Sequence, residues 1–340
     1  NRRDFLKYLG FSTAAATLAS CEGPVNRSIP YVVQPERIIP GISNFYATSI
    51  ADGFDFANVL IKTREGRPIK IEKNTKAKVK SSANARVQAS VLSMYDSLRL
   101  KNPSLDGEEI SWDQLNNNIS SELEKMKASD NEVVLLTQTF ASPSTSVIIE
   151  DFKKKYSNVK HIVYDAISDS KALDAFEALY GERALPTYDF SKADVIVSVG
   201  ADFLGDWQGG GHDSGYVKGR VPIKGKNGKA KMSKHFQFES NMTISGANAD
   251  KRISITPTQQ KIILAKIYGY ISGNEVLGKL PDNIEISVKK IASSLIKAGN
   301  KGLIITGVDD INAHLLAYEI NDLLKSLSFI KDELSLIRKG

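Results

Sequence analysis

Cysteine is almost absent from this chain of 340 residues, which contains only Cys21. A single thiol cannot form an intrachain disulfide, and it cannot supply an all-cysteine iron–sulfur cluster or a cysteine-based zinc site. Histidine is scarce too, and its four positions show neither HxxxH nor HExxH spacing: His161, His212, His235 and His314. We therefore expect no metal site built from this chain alone.

The chain also lacks a strong excess of one charge. Lys and Arg number 45 against 39 Asp and Glu, which gives a net charge of +6, and the basic residues are interspersed with acidic ones. Because nucleic-acid binding favours a clustered basic stripe, no nucleic-acid partner is expected. Hydrophobic residues at 41% and charged residues at 25% exclude wholesale disorder and a polytopic membrane protein. The length suggests about two domains.

The first residues resemble an export signal followed by a lipid-attachment site. Arg2-Arg3-Asp4-Phe5-Leu6-Lys7 resembles a twin-arginine signal, and Leu18-Ala19-Ser20-Cys21 resembles a bacterial lipobox. The apolar stretch between them, residues 8–19, is shorter than the roughly 20 residues that span a bilayer. We therefore predict a leader and anchor over 1–21, with Arg2 and Arg3 as the export signal and Cys21 as the lipid-attachment residue. The alternative is an ordinary amphipathic helix with a basic start.

The next segments predict a strap and a small β-rich unit. Four prolines predict an extended strap over 22–44: Pro24, Pro30, Pro35 and Pro40. Residues 45–105 predict a β-rich unit with a hairpin that turns at Glu65-Gly66, followed by a helix over 86–100.

Strands and helices alternate in the rest of the chain. Apolar runs at 132–137, 159–164 and 194–200 are separated by helical stretches, which predicts an α/β domain over 106–272. Such alternation is typical of a doubly wound parallel sheet. A helix over 287–298 and a strand over 302–307 predict the truncated start of a further α/β unit over 284–340.

Four segments carry a family resemblance, and they occur in the family's order. They are GRPIKIEKN at 66–74, QASVLSMYDSLRLK at 88–101, GADFLGDW at 200–207 and SGANAD at 245–250. The first two resemble the amino-terminal hairpin and the following segment of the molybdopterin oxidoreductase superfamily. The last resembles the stretch in which that superfamily presents polar groups near its pterin. The resemblance covers residues 45–320 and implies a molybdopterin-oxidoreductase-like fold.

The chain departs from that superfamily where iron–sulfur members place Cys-x2-Cys-x3-Cys and a fourth cysteine. The matching positions here are Ser49, Asp52, Phe56 and Asn84. Because cluster iron needs thiolate or comparable donors, residues 45–105 are expected to be a degenerate iron–sulfur domain without a cluster. A cysteine ligand to molybdenum is likewise excluded, whereas a serine or aspartate ligand stays open.

Two segments resemble the B subunits of bacterial alternative complex III, a quinol-oxidising respiratory complex: ADGFDFAN at 51–58 and ADFLGDWQGGG at 201–211. This resemblance implies a non-catalytic scaffold without a cofactor of its own, attached at the periplasmic face of the inner membrane. The expected partners are quinol-binding integral membrane subunits, a multihaem cytochrome c subunit, an iron–sulfur domain and a terminal oxidase. Iron–sulfur clusters and haem c are expected in those parts. No catalytic, cofactor-binding or metal-binding residue is assigned to this chain.

Two other functions remain open: an active molybdopterin-dependent oxidoreductase with a non-cysteine metal ligand, and a free-standing exported lipoprotein.

Several local motifs also have two interpretations. The glycines at 209–211 could cradle a phosphate, although a flexible loop is favoured because GxGxxG spacing is missing. Ser142 could begin a helix at an anion, or could simply cap it. The lysines between 224 and 234 could form a docking patch or a solvated loop. His212 lies close in sequence to Asp206 and Asp213, but no motif places a nucleophile beside it.

Overall fold

The computed structural model describes residues 36–53, 55–78, 83–129, 131–140, 142–224 and 230–335. The chain forms two compact units: a small one that includes residues 36–44 and the turn Arg64–Arg67, and a larger one that includes the remaining described residues. In the small unit, the Asn44 side chain donates a hydrogen bond to the Arg37 carbonyl (3.0 Å). None of the helices that the structure describes has the length and apolar character needed to cross a membrane.

The described elements are numbered here in chain order. The strands are β1 (Ser43–Asp52), β2 (Asp55–Arg64), β3 (Arg67–Lys73), β4 (Ser104–Leu105), β5 (Glu108–Glu109), β6 (Val133–Thr137), β7 (Val159–Val163), β8 (Leu185–Tyr188), β9 (Val195–Val199), β10 (Ile223–Lys224), β11 (Ala230–Lys231), β12 (Lys234–Glu239), β13 (Lys251–Ser254), β14 (Gly302–Thr306) and β15 (Phe329–Ser335). The α-helices are α1 (Ala85–Ser93), α2 (Trp112–Ala128), α3 (Pro143–Lys155), α4 (Ser170–Tyr180), α5 (Asp213–Arg220), α6 (Ile244–Ala247), α7 (Pro257–Ser272), α8 (Asp282–Ala298) and α9 (Ile311–Leu323).

The predicted β-rich unit is a three-stranded sheet, ordered β1-β2-β3, with α1 packed on it. The hairpin between β2 and β3 turns where predicted, because Glu65 and Gly66 both adopt positive φ (51° and 78°), as a two-residue hairpin turn requires. The helix predicted over 86–100 ends earlier, at Ser93. The Asp96 side chain accepts a hydrogen bond from the Leu98 amide (2.8 Å), and such a local bond competes with helix continuation.

A lightly packed α/β segment follows. α2 begins at a capping box, in which Ser111 and Gln114 exchange side-chain to backbone hydrogen bonds. β6 and β7 pair in parallel, from Val133 opposite Val159 to Thr137 opposite Val163. The Ser142 side chain accepts from the Thr145 amide (3.3 Å) and caps α3, which matches the capping interpretation of that residue.

A four-stranded parallel sheet, ordered β13-β12-β9-β14, forms the centre of the fold. Both faces are covered: Val195, Val197 and Val199 of β9 pack with α7 and α8, and Ile196 packs on the opposite face with α4 and α9. The predicted α/β class, with a parallel sheet and an N-terminal antiparallel β unit, is therefore confirmed. This sheet combines β9, β12 and β13, which lie within the predicted domain 106–272, with β14, which lies within the unit predicted over 284–340. The domain limits given above remain predictions.

The outer edge of β14 is closed by side chains. The Asn321 amide on α9 accepts from the Ile304 amide (3.0 Å) and donates to the Ile304 carbonyl (2.7 Å), as a neighbouring strand would. Ser326 donates to the Gly302 carbonyl (2.6 Å), and the Trp207 indole donates to the Thr306 carbonyl (3.0 Å). Strand-like hydrogen bonds thus continue along this edge without another strand.

Candidate functional site

The four positions that the resemblance matches to cluster cysteines lie on three elements. Ser49 and Asp52 are exposed on β1, Phe56 is half-buried on β2, and Asn84 is buried immediately before α1. The Ser49 hydroxyl donates to the Asn58 side chain on β2 (2.7 Å). Arg2, Arg3 and Cys21 lie outside the described residues.

Asn84 forms the centre of a polar network, the Asn84 network, which consists of Asp55, Asn84, Arg86, Asp206 and Gly209. The Asn84 side-chain oxygen caps α1 by accepting from the Val87 amide (2.9 Å). Its nitrogen donates to the Asp55 carboxylate (2.7 Å) and to the Gly209 carbonyl (2.8 Å). The Asn84 amide therefore joins β2, the start of α1 and the loop after β9.

Arg86 adds charge-assisted bonds to this network. Its Nε and one Nη donate to the two oxygens of Asp55 (2.6 and 2.9 Å), in the planar paired geometry that is the strongest arrangement for arginine and carboxylate. The other Nη binds Asp206 in the same loop as Gly209. These bonds, led by the one to Asp55, raise the pKa of Arg86 above its ordinary value. Arg86 is therefore a permanent cation held between two acidic side chains.

The loop that carries Asp206 and Gly209 has an unusual backbone. Gln208 adopts a left-handed conformation (φ 48°), and the glycines at 209, 210 and 211 all have positive φ. A Cβ on Gly210 would lie 2.8 Å from the Gly205 carbonyl oxygen and 3.5 Å from the Asn84 Cβ. Glycine is therefore required at position 210, where the loop approaches Asn84, which gives Gly210 a packing role.

His212 follows this loop and does not lie in an acid–base arrangement. Its ring contacts Tyr188, Phe190 and Trp207, with centroids 5.2–6.4 Å away. Burial lowers the pKa of His212 to about 4, so the ring is neutral at pH 7. Its Nε2 is buried and has no hydrogen-bond partner among the described residues. No catalytic role is therefore assigned to His212.

The SGANAD segment at 245–250 begins near the carboxyl ends of β9 and β12, where Ser245 and the flanking Thr243 and Arg252 engage two acidic side chains. Asp202 accepts from the Ser245 amide (2.9 Å) and hydroxyl (2.7 Å). Glu239, at the end of β12, accepts from the Thr243 hydroxyl (2.7 Å) and from Arg252 (2.5 Å). Both carboxylates thus accept hydrogen bonds from other groups of the protein.

A buried polar row leads from Glu239 along one face of β12. Gln237 donates to Glu239 (3.2 Å) and to the Ala201 carbonyl (3.1 Å), which leaves the Gln237 oxygen to accept from His235 Nε2 (3.1 Å). Burial lowers the pKa of His235 to about 4. Sequence reasoning missed this row, although polar residues at every second position of a strand are a detectable signal.

A cavity of about 260 Å³ lies beyond the carboxyl ends of β6 and β7, and its polar lining includes Thr139, Asp165, Ser168 and Arg183. Asp165 accepts from the Thr139 amide (2.8 Å) and hydroxyl, and Arg183 donates to Asp174 (3.0 Å). These side chains stabilise the walls of the cavity. Across the part of the chain that the structure describes, no group of three or more His, Cys, Asp or Glu side chains is arranged to hold a metal ion.

Two solved structures are similar to the chain. Acetylene hydratase from Pelobacter acetylenicus matches 82% of this chain at 14% identity, with a TM-score of 0.48, and the match spans 43% of that protein. The formyltransferase/hydrolase complex FhcABCD from Methylorubrum extorquens, solved with methylofuran, has a chain that matches 61% of this one at 12% identity, with a TM-score of 0.41. The match spans 55% of that chain, so this chain corresponds to about half the length of either structure. No curated protein and no protein-family model matches the sequence, and neither structure points to alternative complex III.

Proposed function

We propose that this chain is a non-catalytic scaffold in a membrane-bound, quinol-oxidising complex of the alternative complex III type. The proposal rests on the hydrogen bonds of Asn84, which occupies the position that the sequence resemblance matches to a cluster cysteine. All three strong hydrogen bonds of its amide go to groups of this chain: the Val87 amide, Asp55 and the Gly209 carbonyl. A side chain used in this way joins structural elements and is not free to bind a cluster.

The surroundings of Asn84 support the same function. Arg86 lies two residues further along the chain and binds Asp55 and Asp206. A fixed guanidinium between two acidic side chains stabilises the packing of α1 against β2 and the 205–210 loop. The proposed role of the chain is to hold such elements in place for its partners.

The partners, cofactors and location belong to this proposal through the sequence resemblance. The scaffold would lie at the periplasmic face of the bacterial inner membrane, with Cys21 carrying the lipid and Arg2 and Arg3 directing export. Quinol-binding membrane subunits, an iron–sulfur domain, a multihaem cytochrome c and a terminal oxidase would surround it. The clusters and haem c of those parts would carry the electrons.

Metal and pterin analysis of the purified full chain tests the proposal. We expect no stoichiometric molybdenum, tungsten or pterin after expression in a host that loads molybdopterin enzymes. A known molybdopterin enzyme, purified in parallel, is the control for cofactor supply. One metal per chain would reject the scaffold and favour an oxidoreductase with a serine or aspartate ligand.

Affinity purification from native membranes separates the scaffold from a free-standing lipoprotein. We expect haem c absorbance and iron to co-purify with the tagged chain. Purification of the chain alone, from membranes in which the tagged protein is abundant, would reject the complex.

A further inference from the structure

The segment 92–101, which begins in the last turn of α1, exposes five large apolar side chains. Every residue of this segment is exposed. Leu98 and Leu100 have exposed fractions of 89% and 88%, which is nearly the full side chain. Three more large apolar side chains are exposed by 55–67%: Leu92, Met94 and Tyr95. Large apolar side chains exposed together on one short segment are typical of a surface that contacts something else.

The segment has a defined local structure. The Tyr95 hydroxyl donates to the Pro68 carbonyl on β3 (2.6 Å), which fixes the segment to the β-rich unit. The Asp96 side chain accepts from the Leu98 amide (2.8 Å), and the Asp96 carbonyl accepts from the Arg99 amide (3.4 Å). In this local structure Leu98 and Leu100 point outward. The carboxylate of Asp96, which is the one acidic side chain of the segment, is hydrogen-bonded within a turn.

Positive charge is concentrated in the same part of the chain. Residues 45–105 contain eleven Lys and Arg and five Asp and Glu, so this segment has an excess of six positive charges. The net charge of the whole chain is also +6, so all remaining residues together are neutral. Within the segment 92–101, Arg99 lies between Leu98 and Leu100, and Lys101 follows directly.

We propose that the segment 92–101 contacts an anionic lipid bilayer. Four of the five apolar side chains project from the non-helical chain after α1, and acyl chains can surround such side chains without a complementary fixed shape. Arg99 and Lys101, next to those leucines, would bind lipid phosphates at the headgroup level. This contact goes beyond the scaffold function and does not depend on it, because it requires neither an acyl chain on Cys21 nor a partner subunit.

Vesicle binding of the full chain tests this contact. Every form carries Cys21→Ser, so that no acyl chain contributes, and the vesicles are phosphatidylcholine with about a third phosphatidylglycerol. Leu98→Ser combined with Leu100→Ser should weaken binding about tenfold or more, because six apolar carbons are lost from the interface. Arg99→Gln combined with Lys101→Gln should weaken binding about tenfold or more on these vesicles at low salt and leave binding to neutral vesicles unchanged.

The matched control is Leu277→Ser, because Leu277 has an exposed fraction of 91% but lies between α7 and α8. It should leave vesicle binding unchanged. Equal affinities for the control and the Leu98 and Leu100 double variant would overturn the proposal.

A fluorescent label gives a second measurement that does not depend on how the rest of the chain binds. The Cys21→Ser chain contains no other cysteine, so Ser97→Cys accepts an environment-sensitive dye at one site, and Asn274→Cys serves as the control. We expect the emission to shift to the blue on anionic vesicles at position 97 and not at position 274. Absence of a shift at 97, or equal shifts at both positions, would contradict the lipid contact. A shift at 97 seen only in the assembled complex, and not on vesicles, would replace the lipid with a protein partner.

Discussion

Replacing Asn84 with alanine tests the structural role of the Asn84 network. The variant loses the cap of α1, which costs about 1 kcal/mol at a typical N-cap. It also leaves the partly buried Gly209 carbonyl without the Asn84 donor, at a further cost of about 1–2 kcal/mol. Asp55 loses one bond but keeps two from Arg86, so its own contribution is smaller. We expect the free energy of unfolding to fall by about 2–3 kcal/mol in total.

Two other variants separate the contributions. Ser111→Ala removes an N-cap from the exposed helix α2 and should cost only about 1 kcal/mol. Asn84→Asp keeps the oxygen that caps α1 but loses both donors, and it places a second carboxylate beside Asp55. It should therefore destabilise the protein although the cap remains.

Urea unfolding followed by circular dichroism measures the total change, and amide hydrogen exchange shows where it acts. Because Asn84 joins α1 to the 205–210 loop, exchange should accelerate in both segments in the Asn84→Ala variant. In the Ser111→Ala variant it should accelerate only in α2. A loss no larger than that of Ser111→Ala, or faster exchange confined to α1, would refute the reasoning.

Three further predictions concern pH, packing and export. Burial lowers the pKa of His314 to about 4, below the value near 6.5 in an unfolded chain, so the unfolded state binds protons first and stability falls from pH 6.5 towards pH 4. Chemical unfolding should show a loss of up to about 2 kcal/mol at pH 5 from this residue, and His314→Phe should reduce that loss. Gly246→Ala should lower the melting temperature strongly or prevent soluble expression, because its Cβ would overlap the Glu239 carboxylate. Arg2→Lys combined with Arg3→Lys should leave the protein in the cytoplasm on fractionation, since a twin-arginine signal depends on the guanidinium pair; normal export would contradict this.

The sequence predicted those elements whose signals are local. The Glu65-Gly66 turn and the Ser142 cap of α3 both depend on residues within a few positions of each other. β12 was missed because its apolar face is only two residues long, Phe236 and Phe238, and its other face carries His235, Gln237 and Glu239, so the strand shows no continuous apolar run.

The candidate site was only partly predictable, for a related reason. The resemblance pointed to Asn84, but its partner Asp55 lies 29 residues away, and Arg86 binds Asp206 across 120 residues. No local period encodes such pairs, because the tertiary fold brings them together. The excess of positive charge in residues 45–105 was missed for a different reason: the net charge of the whole chain does not show where along the chain the charged residues lie.

The closed edge of β14 has a consequence for aggregation. A free strand edge is a template on which other chains can assemble, and it is most dangerous while a protein is still folding. Asn321 lies only 17 residues after Ile304, so this edge can be closed as soon as α9 packs. Asn321→Leu would leave the strand intact but remove this protection, and the variant should form concentration-dependent oligomers during refolding.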